Sequence, residues 1–191
     1  MKIGRIIVGI TGASGVIYGI RLLEVLRDLK IEAHLILTEA AQKNIQIETS
    51  LTVEDVKGLA HEVHDVKDLA APVSSGSFVT SGMVVAPCSI KTLSAIANSY
   101  NDNLLVRAAD VCLKERRRLV LLVRETPLHL GHLELMARAT RMGAVIMPPV
   151  PAFYHSPKSL EDIVDHTVGK VLDLFGLDAK LFRRWEGWPR R

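Results

Sequence analysis

Short aliphatic runs alternate along this chain with longer stretches of helical period. Residues 5–10, 33–37, 83–86, 119–123 and 144–147 are apolar runs, several rich in Val and Ile, bounded by Gly, Pro or polar residues. Unbroken runs of that length read as strands buried on both faces. Between them, residues 16–29, 39–48, 89–98, 102–116 and 130–142 repeat apolar positions at helical spacing. Strand–helix alternation predicts an α/β fold: a doubly wound, mainly parallel sheet in a three-layer, Rossmann-like sandwich.

The last predicted helix is the most fully specified. Ser159 caps it, Asp162 follows at capping-box spacing, and Leu160, Ile163, Val164, Thr167, Val168, Val171 and Leu172 form one apolar stripe. Gly176 then supplies a stop signal. With no repeat or Gly/Ser linker, residues 1–191 read as a single domain.

Composition refines this picture. Hydrophobic residues make up 48% of the chain and aromatics only 5%, enough aliphatic side chains for both faces of a parallel sheet and a surplus for subunit interfaces. No apolar run approaches the roughly 20 residues that span a bilayer, and the first strand is too short for a signal-peptide core. A cytoplasmic location is expected, with Cys88 and Cys112 as reduced thiols. The net charge is +3. Its basic excess gathers at 114–118 and 183–191, and no aromatics interleave with the first cluster. That pattern favours small anions over nucleic acid.

In a doubly wound sheet, ligands bind beyond the carboxyl ends of the strands. The first strand runs into Thr11-Gly12-Ala13-Ser14-Gly15 and a helix, a turn whose amides and helix dipole suit a phosphate. Short-chain dehydrogenases use a similar turn with a helical Tyr and Lys four residues apart. Tyr154 and Lys158 have that spacing, but Pro157 between them forbids the helix. The second predicted strand ends at Thr38 rather than at an acid for ribose hydroxyls. A second anion site is expected where Ser89, Ile90, Lys91 and Thr92 open a helix. Arg107 and Lys114 share a helix face, and Arg124 follows a strand. Together the three read as a phosphate clamp.

Other signals have plainer readings. Glu161, Asp162 and Asp165 imitate the acidic Mg-diphosphate motif of metal-dependent prenyltransferases, but the aspartates lie opposite the apolar stripe and read as solvated. His129 and His132 with Glu134 have ligand spacing but no third partner, and read as a polar helix start. Cys88 reads as a packed residue.

Gly12-Ala13-Ser14, Pro87-Cys88-Ser89, Arg107-Ala108-Ala109-Asp110-Val111, Leu113-Lys114-Glu115-Arg116, Arg124-Glu125 and Pro148-Pro149-Val150-Pro151-Ala152-Phe153-Tyr154-His155, in this order, give a close resemblance to the UbiX-like flavin prenyltransferases. It extends over the whole length, to Arg184-Trp185. The resemblance implies a flavoprotein fold that binds FMN. It also implies transfer of a dimethylallyl group from dimethylallyl phosphate to N5 and C6 of the reduced flavin, without a metal. The prenylated FMN serves a UbiD-like decarboxylase, in ubiquinone biosynthesis or phenolic-acid breakdown. Members usually form dodecamers with sites near subunit interfaces, so the tail from about 178 to 191 is expected to pack on a neighbour.

By matching position, Gly12, Ala13, Ser14, Thr38, Ser89, Ile90, Lys91, Thr92 and Arg124 resemble the FMN contacts. Arg107, Lys114, Arg124, Glu125, Tyr154 and Lys170 resemble the prenyl-phosphate pocket. Ser14 and Glu48 resemble the groups that handle protons beside the flavin, and Trp185 the aromatic beside the prenyl chain. Most members carry Arg where this chain has Lys170, which keeps the charge but loses the bidentate fork. An FMN-dependent aryl or cysteine-type decarboxylase and a non-catalytic flavin carrier remain as alternatives.

Overall fold

A computed structural model of the chain describes residues 4–185 and 187. The strands are β1 (Arg5–Ile10), β2 (Glu32–Leu37), β3 (Glu62–His64), β4 (Gly82–Cys88), β5 (Arg118–Val123) and β6 (Val145–Ile146). The α-helices are α1 (Val16–Asp28), α2 (Glu39–Glu48), α3 (Val53–Lys57), α4 (Ile90–Ala97), α5 (Leu104–Lys114), α6 (Leu130–Met142) and α7 (Leu160–Leu174). All strand pairs are parallel, in the order β3-β2-β1-β4-β5-β6. The chain therefore winds outward from β1 in one direction, then from β4 in the other. The crevice between β1 and β4 is the topological switch point, where such sheets bind ligands.

Alternating residues of each strand feed two cores. Ile6, Val8, Ile10, Val84 and Leu122 pack with α1 and α7, while Ile7, Met83, Val85, Leu119 and Leu121 pack with α4, α5 and α6. Burying each such side chain contributes about 1.5–3 kcal/mol, so the aliphatic runs fix both faces at once. This is the predicted three-layer sandwich. The short strand β3 and the helix α3 are additions. Glu62-Val63-His64 is too short to give a periodic signal, and pairing with β2 makes it a strand.

Two glycines are required by close approach. A side chain at Gly19 would strike the Ala86 carbonyl, so α1 lies tightly on β4. At Gly12 a Cβ would collide with the Ala40 methyl at the start of α2.

Candidate flavin and phosphate site

The switch-point crevice is built around Thr11, which is fully buried directly after β1. Its hydroxyl donates to the Pro87 carbonyl at 2.7 Å and accepts from the Ser89 amide at 2.8 Å. One side chain thus ties the turn after β1 to the turn after β4. The sequence placed Thr11 in the turn without giving it this task.

The two helix starts beside the crevice are not equivalent. At α1 the Gly15 and Val16 amides donate to one carboxylate oxygen of Glu48, at 2.8 and 3.1 Å. Asn44, one turn earlier on α2, donates to the Ala13 carbonyl at 3.0 Å. The amides expected to hold a phosphate are thus already satisfied by a carboxylate, whose charge would repel a second anion. Gly12 serves the close approach of α2, and Ser14 is left exposed at the tip with Glu48 one residue away. At α4, Ser89 caps the helix through Thr92, whose amide donates to the Ser89 hydroxyl at 3.3 Å. The Ile90 and Lys91 amides, in the unbonded first turn, face outward with no intrahelical acceptor. Of the two predicted anion sites, the start of α4 is the open one. The Thr38 hydroxyl likewise caps α2, accepting from the Ala41 amide at 3.1 Å.

The clamp expected from Arg107, Lys114 and Arg124 is not assembled within one chain. Arg107 pairs with Asp110 at 2.9 Å and donates to the Ser74 carbonyl at 3.1 Å. Lys114 pairs with Glu115 at the last turn of α5, the end that leads into the start of β5. Arg124 and Glu125 follow the opposite end of β5 and are exposed. A six-residue strand spans about 20 Å, so Lys114 and Arg124 cannot meet on one phosphate inside a single chain.

Tyr154, Lys170 and Trp185 belong to the layer on the other side of the sheet, around α7. The Tyr154 hydroxyl lies 2.8 Å from His166 Nε2, and the Trp185 ring lies edge-on to Tyr154 at 6.0 Å. Lys170, one turn after His166, pairs with Asp173 at 3.4 Å. Arg184 forks onto Asp173 at 2.7 and 3.1 Å and also reaches Asp178 at 3.0 Å, which places Trp185. Phe182 packs against Gly169, where a Cβ would leave only 2.6 Å to its ring. The described part of the tail thus lies on its own α7, while residues 186 and 188–191 lie outside the described residues.

Several plainer readings hold. His129 caps α6 by accepting from the Gly131 amide, and Ser159 and Asp162 form the predicted capping box. The Tyr154–Lys158 segment is not helical. Burial pushes the thiols of Cys88 and Cys112 up, the latter to about 12, so neither is a nucleophile near neutral pH. Asp165 departs from its predicted solvated state. It grips Arg21 of α1 at 2.6 and 3.3 Å, clipping α7 to α1.

Among the described residues, His34, Glu62 and His64 form one cluster of metal-ligating type, its ligand atoms within 4.8 Å of one another. His34 Nδ1 and His64 Nε2 are 3.1 Å apart in a hydrogen bond. A metal at about 2.0–2.1 Å from both would require that bond to break and both lone pairs to turn to a common point. Burial lowers the pKa of both rings, which fits a neutral hydrogen-bonded pair joining β2 to β3.

The flavoprotein family model matches residues 1–172. The chain is 60% identical over 187 residues to the flavin prenyltransferase UbiX of Thauera aromatica, covering 98% of this chain and 96% of that one. It is 61% identical over 186 residues to the flavin prenyltransferase UbiX of Escherichia coli K12, covering 96% and 98%. It superposes with a TM-score of 0.96 and 53% identity on the crystal structure of AnUbiX in complex with FMN and dimethylallyl pyrophosphate, over 98% of this chain and 100% of that one. A dodecameric FMN-dependent UbiX-like decarboxylase from Escherichia coli O157:H7 superposes at a TM-score of 0.94 with 49% identity, over 96% and 100%. The chain belongs to the flavoprotein family and, within it, to the UbiX flavin prenyltransferases.

Proposed function

We propose that this chain is a flavin prenyltransferase that joins the dimethylallyl group of dimethylallyl phosphate to N5 and C6 of reduced FMN. Its product, prenylated FMN, goes to a UbiD-like decarboxylase, and a cytoplasmic location suits both partners. The observation that carries this reading is the crevice between β1 and β4, where Thr11 joins two turns and one helix start, that of α4, stays open to an anion. A flavin phosphate fits Ser89, Thr92 and the Ile90 and Lys91 amides. The ring would then lie toward Ser14 and Glu48.

Bound reduced flavin supplies the nucleophilic N5 and C6. The protein's own share is electrostatic and positional. As the allylic C–O bond breaks, charge grows on the leaving phosphate, and preorganised cations and a phenol stabilise it. Arg107, Lys114, Arg124 and Lys170 are the cations for this task and Tyr154 the phenol, Glu125 lines the same pocket beside Arg124, and Trp185 offers an aromatic face to the allylic cation. The Glu48 carboxylate, which accepts from the Gly15 amide next to Ser14, is the base we assign to the proton released when C6 reacts.

Because these groups lie on opposite sides of the sheet, a complete site is formed between copies of the chain in a homo-oligomer, which we take to be a dodecamer. The decisive experiment is the mass and spectrum of the flavin after reduced FMN is incubated with the protein and dimethylallyl phosphate. A five-carbon adduct is expected, and unchanged FMN would sink the proposal.

A further inference from the structure

The Tyr154 hydroxyl has one side-chain partner among the described residues, the ring of His166. That ring is held on three sides. His155 lies parallel to it at 4.6 Å, Phe182 stands edge-on at 4.6 Å, and the hydroxyl closes the third side. His166 is buried while Tyr154 is half exposed, so the pair joins a packed ring to a phenol at the surface.

A neutral imidazole carries one N–H, which leaves this pair two arrangements. The phenol can donate to Nε2, which spends its proton inward. Alternatively Nε2–H donates to the phenolic oxygen, and the phenol keeps its own proton for a ligand. An anion at Tyr154 accepts hydrogen bonds and therefore selects the second arrangement. Donation from Nε2–H also makes the phenol a better donor, because hydrogen bonds in a chain polarise one another.

We propose that His166 is a positioning residue for the reaction, holding the Tyr154 oxygen in place and turning the phenolic proton outward onto the phosphate of the allylic substrate. The inference rests on the functional reading above, in which Tyr154 belongs to the phosphate pocket. It adds a buried residue that acts through Tyr154. Lys170 lies one turn further along α7 than His166, so one helix carries the ammonium and, through His166, holds the phenol.

The test is a set of variants assayed with reduced FMN and dimethylallyl phosphate: His166→Phe, His166→Leu, His166→Gln, Tyr154→Phe and His166→Phe combined with Tyr154→Phe. His166→Phe keeps a ring between His155 and Phe182 but removes the donor, and His166→Leu repeats the removal with a different shape. Each should lower kcat/KM about tenfold, the worth of one hydrogen bond. His166→Gln restores a side-chain N–H and should recover most of the loss. The double variant should be no worse than Tyr154→Phe alone, since both changes break one interaction. Losses that multiply in the double variant, or a glutamine no better than phenylalanine, would overturn the proposal for His166 while an active wild type keeps the functional reading intact. A wild-type protein that yields no adduct overturns both.

Discussion

The crevice between β1 and β4 and the platform on α7 are built in opposite ways. In the crevice, the groups that tie the turns together are answered within the chain, and the start of α4 is left open. Thr11 holds Pro87 and Ser89, Glu48 holds Gly15 and Val16, and Asn44 holds Ala13. On the platform, Tyr154 is bonded to His166 and Lys170 and Arg184 to Asp173, yet these side chains stay largely exposed. Tyr154 and Trp185 are about half exposed or more, and Lys170 and Arg184 lie at the surface. The first region is a finished binding surface made by one chain. Under the proposed function, the second is half of a surface completed by another copy opposite. Arg107 and Lys114, on the far side of the sheet, supply cations for such a counterpart.

The sharpest way to break that comparison is to inactivate the two halves in separate chains. Arg107→Ala and Tyr154→Phe should each lower turnover by about 10²–10³ while purified protein keeps its flavin. If the halves come from different subunits, co-assembling the two variants one to one should restore about a quarter of wild-type sites by random pairing. A mixture as inactive as its parents would mean that one chain supplies both halves.

Thr11→Val tests the crevice alone. It removes the hydroxyl that bridges two strand ends and leaves the half-buried Ser89 amide without its acceptor. That should cost about 1–3 kcal/mol, read as a fall in Tm of about 2–4 °C for each kcal/mol in a chain of this size. Bound FMN should fall with it. A stable variant with full flavin occupancy would show that the two turns hold their positions without the bridge.

A smaller effect is expected on the platform. Lys170→Arg restores a planar fork where Lys offers a point charge, and Asp173, already held by Arg184, is close enough to orient it. A few-fold lower KM for dimethylallyl phosphate with kcat unchanged is the expected outcome. Equal changes in both constants would instead place residue 170 against the transition state.

The same contrast explains what the sequence disclosed. The strands other than β3, the α7 capping box and the two turns at the switch point were legible because local periodicity and helix-capping chemistry dictate them. Glu48 was legible only through family resemblance, since nothing local says that the end of α2 folds back onto the start of α1. Arg107, Lys114 and Arg124 were found, but their joint geometry was not. Arg124, after a strand, lies at the carboxyl edge, but the seven-residue spacing of Arg107 and Lys114 on one helix face says nothing of how far each lies from that edge. Asp165 was misread because its partner, Arg21, lies 144 positions away. Thr11 and His166 were passed over because a buried polar residue inside a hydrophobic pattern looks like packing until its partner is seen.

The weakest expected signal concerns how the tail reaches the platform, by way of two anchors that answer to different pH windows. His166, against Phe182 and Tyr154, has its pKa lowered by burial, with His155 and Lys170 adding to the effect. Between its ordinary value of about 6.5 and its lower docked value, the undocked state binds more protons. Docking therefore weakens as pH falls through that window. The second anchor runs through Arg184, which holds the carboxyl of Asp173 below the usual range and, with Lys180, brings Asp178 down to about 2. Its contribution is fully present above the ordinary aspartate value of about 3.9 and is lost as pH falls toward 2. In a Trp188→Phe background, Trp185 emission should shift to the red in two small steps, one beginning near pH 6.5 and one below about pH 4. Arg184→Ala should remove the lower step and leave the upper. A single step indifferent to Arg184 would mean that the aromatic stack on His166 alone keeps Trp185 beside Tyr154.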